Sequence, residues 1–206
     1  MKDTNIFDAI IMLTKAIKNT PKTKNKNISY YSAFDGYKFG NLKYILNQLL
    51  RQYDIPQDRI FISEEALNYW NSITNDDITK FNYTDKFTLK TPLNEIYKGA
   101  NKSPQTLDKP IEAGRKIEFR KVFHEEHIIP VDNIIKMLLA LDENDLTYNN
   151  VKKILDNIYI CKMLKSENTT LSHKRPNDVI EIVDTIYASK NINIVNWENI
   201  KKRLCN

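Results

Sequence analysis

Apolar positions in the first fifty residues recur at helical spacing. In NIFDAIIMLTKAIKN (5–19), Ile6, Ile10, Leu13 and Ile17 fall every three or four residues, which predicts one buried helix face. NLKYILNQLLRQY (41–53) repeats the pattern with Leu42, Ile45, Leu46, Leu49, Leu50 and Tyr53. Between them TPKTKNKN (20–27) is polar and alternates Lys22, Lys24 and Lys26, the composition of a loop and of an arm suited to phosphates. SEEALNYWNSI (63–73) predicts a third helix, with the Ser63 hydroxyl as cap for an orphaned backbone N–H. Its Tyr69 and Trp70 suit core packing, and their flat rings suit base stacking as well.

The helical period is lost over residues 81–115, where Pro92, Pro104 and Pro110 accumulate, and a boundary is expected near residue 110. RKIEFRKVF (115–123) then alternates Ile117 and Phe119 with Glu118 and Arg120, a strand pattern. After Pro130, VDNIIKMLLAL and TYNNVKKILDN predict two short helices, the second capped by Thr147. NIYICKML (157–164) is rich in strand formers, SENTTLSHK (166–174) reads as a turn and short helix, and a further helix starts behind Pro176. The succession is α+β, with a mostly helical first half.

Composition narrows the functional classes. The chain has 206 residues, 41% hydrophobic and 28% charged, enough for one large or two small cores. No apolar run approaches the twenty or so residues of a membrane helix. The start, MKDTNIFDAIIML, lacks a secretory signal pattern, so a cytoplasmic protein is expected. Cys161 and Cys205 form no CxxC pair. The glycines, Gly36, Gly40, Gly99 and Gly114, fit neither GxGxxG nor a phosphate-binding P-loop, and no GxSxG elbow is present. The net charge of +5 suits an anionic partner such as nucleic acid.

Two of the three histidines lie in VFHEEHIIPV (122–131), the third being His173. His124 and His127 are three apart and Pro130 follows, so the HExxH helix of zinc proteases is not matched. His127 reads either as a core histidine at a strand end or as a functional group. EEHIIPV and DNIYICKMLKSENTTLSHKRP together resemble the two halves of the HNH, or His-Me finger, nucleases, in particular the restriction-type branch. The resemblance covers about residues 115–178.

That resemblance implies a ββα-metal nuclease module over 111–206, behind a mainly helical DNA-recognition and support region over 1–110. It implies His127 as general base, Glu126 and Asn168 as metal ligands with Glu167 as the contending second ligand, and Asn157 bracing the connecting loop. Lys174 and Arg175 would grip the DNA backbone. His124 is left as a phosphate contact or a surface residue. One divalent ion per site, Mg²⁺ or Mn²⁺, would stabilise the leaving oxygen while a neutral imidazole activates water. The implied activity is cleavage of double-stranded DNA, as a type II restriction enzyme acting as a homodimer, with a DNA methyltransferase in the same host. A nuclease of another role, such as a phage-defence, homing or nicking enzyme, and a non-catalytic DNA-binding protein on the same scaffold are the alternatives.

Overall fold

A computed structural model describes residues 2–19, 42–97, 103–172 and 174–205. The lysine-rich stretch 20–27 and His173 lie outside the described residues. In chain order the helices are α1 (Lys2–Asn19), α2 (Leu42–Arg51), α3 (Glu64–Ile73), α4 (Val131–Ala140), α5 (Tyr148–Leu155), α6 (Lys165–Thr169), α7 (Val179–Glu181) and α8 (Trp197–Leu204). The strands are β1 (Ile60–Ile62), β2 (Lys86–Thr88), β3 (Leu93–Ile96), β4 (Gln105–Ile111), β5 (Lys116–Glu118), β6 (Phe123–His127) and β7 (Ile160–Leu164). The chain divides into two units: Met1–Asp54 with Ile129–Ile158, and Ile55–Ile128 with Tyr159–Asn206. No described helix is long and apolar enough to cross a membrane.

The first unit is helical, built from α1, α2, α4 and α5. Phe7, Ile10, Thr14 and Ile17 form the buried line of α1, and the Thr14 hydroxyl donates to the Ile10 carbonyl at 2.7 Å. The α2 stripe is narrower than its spacing predicts. Leu46 and Leu50 are buried, while Ile45, about 100° around the helix from Leu46, is 42% exposed. Thr147 caps α5 as expected, accepting from the Asn150 N–H.

The second unit holds a three-stranded sheet in the order β1-β7-β6, with β1 parallel and β6 antiparallel to β7. β2 pairs with β5 and β3 with β4, both antiparallel. Ser63 caps α3, accepting from the Ala66 N–H at 3.1 Å. On that helix Trp70 is fully buried, with the rings of Phe87, Phe81, Phe123 and Phe119 at 4.6 to 5.8 Å. Core packing thus takes Trp70, while Tyr69 stays 36% exposed. The single strand predicted over 115–123 is two strands with a 3-10 turn, Phe119–Lys121, between them. Phe119 and Phe123, on either side of Arg120 and Lys121, both pack on Trp70.

β6 and β7 are neighbours, yet thirty residues separate their unit boundaries: the chain leaves after Ile128 and returns at Tyr159. The Ile128 N–H bonds to the Tyr159 carbonyl at 3.0 Å, which closes this excursion. The α+β composition stands, but the expected ββα-metal module does not. β6, β7 and α6 follow one another in the second unit without any metal-binding donor set among the described residues.

Candidate functional site

Strand pleating decides where the EEH residues go. Alternate side chains face opposite sides of a sheet, so His124 and Glu126 share one face of β6 while Glu125 and His127 are directed to the other. The register places Glu125 opposite Lys162, Glu126 opposite Cys161 and His127 opposite Ile160. Glu126 and His127, adjacent in sequence, are therefore directed to opposite faces of the sheet.

Glu126 is committed to two cationic or titratable neighbours. One carboxylate oxygen accepts from the Arg175 guanidinium and the other faces His124 Nε2 at 3.2 Å. Burial pushes the Glu126 carboxyl up, but hydrogen bonds and charge from His124 and Arg175 outweigh it and hold the group below its usual value. The Arg175 side chain is 2% exposed, inside the protein rather than on its surface. Lys174 is exposed, with its N–H bonded to the Ser172 hydroxyl.

Glu167 and Cys161 belong to the same buried region. Glu167 Oε2 accepts from the Ser63 hydroxyl and the Leu164 N–H, both at 2.7 Å. Burial raises its carboxyl against the effect of these two bonds. Cys161 is fully buried, and burial, then the charges of Glu167 and Glu126, hold its thiol well above the usual range. Such a thiol stays protonated and inert. Asn168 lies half-buried on α6, next to Glu167. Asn157 is in the first unit, where its side-chain amide donates to the Lys153 carbonyl at the end of α5.

On the opposite face Lys162, fully buried, donates to the carbonyls of Ile78, Thr79 and Phe81 at 3.1, 3.3 and 2.5 Å. Burial lowers its ammonium value against the charge of Glu125. The lysine pins a 3-10 turn, Ile78–Lys80, to the central strand.

These partnerships overturn the metal expectation. Among the described residues no group of three or more His, Cys, Asp or Glu is placed to hold a metal ion. Glu126, the expected ligand, forms an ion pair instead. The Mg²⁺ or Mn²⁺ cofactor, the HNH resemblance, the metal-dependent hydrolase and its DNA-cleaving activity are corrected accordingly.

A second feature, passed over in the sequence, lies on β2 and β5. Phe87 and Ile117 are paired and buried, so their neighbours Lys86, Thr88, Lys116 and Glu118 face outward. The following turn adds Arg120 and Lys121. Its backbone is held by the Arg120 N–H on the Tyr83 carbonyl, 3.1 Å, and by the Tyr97 N–H on the Lys121 carbonyl, 2.7 Å. The Lys165 N–H bonds to the Val122 carbonyl, and the Lys165 ammonium stands 5.4 Å from the Tyr97 ring centre. Burial, then the charges of Lys121 and Arg120, depress that ammonium. Arg120 bonds Glu118 at 2.6 Å, and this hydrogen bond, with the charges of Arg120, Lys121 and Lys86, holds the Glu118 carboxyl low.

Arg120, Lys121 and Lys86 thus act on Glu118, Lys116 lies two positions before it on the same outward side of β5, and Lys165, itself buried, stands close enough to feel Lys121 and Arg120. The run RKIEFRK (115–121) is a dense basic stretch whose apolar alternation also fits a strand. A cleft of about 510 Å³ elsewhere in the unit is lined by Glu64, Asp184, Glu198, Asn193 and Trp197, among others. Its carboxylates would repel a polyanion. Compared with family models, curated proteins and solved structures, the chain finds no match.

Proposed function

We propose that this chain binds nucleic acid through the phosphate backbone, on the β2–β5 surface of the second unit, without cutting it. One observation carries the reading: strand register and the turn bring Lys86, Lys116, Arg120 and Lys121 to one surface beside Glu118. Like charges held together repel one another, and a polyanion relieves that repulsion while releasing its own counterions. The exposed Arg120–Glu118 pair contributes little to stability, so exchanging the carboxylate for a phosphate is inexpensive. The setting is the cytoplasm, where Cys161 and Cys205, both free thiols, remain reduced.

The test is fluorescence anisotropy with a labelled oligonucleotide, comparing the wild type with a variant carrying Lys86→Gln, Lys116→Gln, Arg120→Gln and Lys121→Gln. These outward-facing side chains can be replaced without opening the core. The reading expects at least a tenfold loss of affinity, with the oligonucleotide recovered at full length. Equal affinity of a folded variant would overturn it.

A further inference from the structure

We infer that the nucleic acid on this surface is single-stranded, its bases stacking on Tyr69 and Tyr83 at the two sides of the cationic group. The inference rests on the binding reading above and names the form of its ligand.

The order of side chains carries it. Tyr83 adjoins Arg120 through the backbone bond between them, and it is 37% exposed. Its ring meets His124 edge-on, with planes at 88° and centres 6.3 Å apart. Beyond Arg120 come Lys121 and then Tyr97, whose N–H bonds to the Lys121 carbonyl and whose ring carries Lys165. Tyr97 is itself 9% exposed and serves as a support. Tyr69, 36% exposed, packs its ring on Phe123, the residue after Val122, whose carbonyl accepts the Lys165 N–H; Glu95 and Tyr97 are near its phenol. These contacts link Tyr83, Arg120, Lys121, Tyr97, Lys165 and Tyr69 one to the next.

An exposed tyrosine alone needs no explanation. Two of them flanking a phosphate-binding group of cations form the combination that single strands require: charges follow the backbone and aromatic faces take the bases. A duplex offers the same phosphates but keeps its base faces stacked inside, so the tyrosines would add nothing to its binding. Phe123 backs Tyr69, with ring centres 6.2 Å apart, so the stacking group rests on the core.

The experiment uses the full chain and anisotropy with oligonucleotides of about 12 residues: a single-stranded thymidine oligomer, a single-stranded uridine oligomer and a mixed-sequence duplex. The variants are Tyr69→Leu, Tyr83→Leu and the corresponding Tyr→Phe changes, each with its fold verified by circular dichroism. A base stacked on an aromatic ring is worth about 5- to 150-fold in affinity, so each Leu variant should lose at least about fivefold on single strands. Duplex binding should not change, and the Phe variants should keep the wild-type affinity. Preference for thymidine or for uridine supports the inference either way and identifies the sugar. Duplex affinity equal to or above that for both single strands, or Leu variants that bind single strands like the wild type, would overturn this inference alone. No binding to any of the three would overturn the binding reading as well.

Discussion

Replacing Glu126 by glutamine isolates the charge of the buried pair, because the amide matches the carboxylate in size. The Glu126 side chain is 13% exposed and that of Arg175 is 2% exposed. Removing the Glu126 charge takes away an ion-pair partner of Arg175 in a poorly solvated place. Breaking a buried ion pair from one side costs about 3–5 kcal/mol, and the lower end applies because the amide oxygen still accepts a hydrogen bond. The double variant Glu126→Gln with Arg175→Met should recover part of that loss, since a buried pair replaced by neutral groups is often tolerated. Urea unfolding followed by tryptophan fluorescence measures it in the right place: the two tryptophans, Trp70 and Trp197, both belong to the second unit. The pH dependence follows the same logic. The folded carboxyl lies below the ordinary 4.5, so its stabilisation is complete above that value and is lost as pH falls through the lower folded value. Glu126→Gln should remove that acid limb. A metal-ligand role predicts the opposite sign for the metal-free protein, where neutralising a ligand carboxylate relieves repulsion. A single variant within about 1 kcal/mol of wild type would refute the ion-pair reasoning.

Two other predictions concern the same unit. Lys162→Met keeps the apolar stem but strips the donor from three carbonyls, and an unmade buried hydrogen bond costs about 1–3 kcal/mol; we expect a loss of at least about 2 kcal/mol and faster amide exchange around Ile78–Phe81, and a variant as stable as wild type contradicts this. Glu167 has the opposite sign from Glu126: its folded value is raised above 4.5, so its contribution falls as pH rises through that range. Glu167→Gln should therefore gain on the wild type in urea midpoint as pH rises above the ordinary 4.5, and an unchanged difference would refute the shift.

Local features were legible in the sequence where they depend on local physics. The caps Ser63 and Thr147 follow from hydroxyl chemistry within a few residues, and Ile10 and Ile17 of the α1 face follow from spacing, while Phe7 and Thr14 are buried in place of Ile6 and Leu13. What was not legible depends on distant partners. The pair EH looks the same whether Glu126 faces a metal or an arginine forty-nine positions away. Similarly, nothing in VDNIIKMLLAL states that α4 and α5 join the N-terminal helices instead of the strands on either side. The break between β5 and β6 escaped notice because Phe119 continues the apolar alternation while its backbone turns toward Trp70. The basic run at 115–121 was visible, whereas the addition of Lys86 and Lys165 needed the strand register and the bond to Val122.

The salt dependence of nucleic-acid affinity tests the central claim most directly. Each lysine or arginine that neutralises a phosphate adds about −0.9 to the log–log slope on duplex and about −0.7 on a single strand. With Lys86, Lys116, Arg120 and Lys121 engaged, the slope should be about −2.8 on a single strand and about −3.6 on duplex. Lys121→Gln or Arg120→Gln should each make it shallower by about one contact. A slope near zero, or one that both substitutions leave unchanged, would contradict a phosphate-binding surface on β2 and β5.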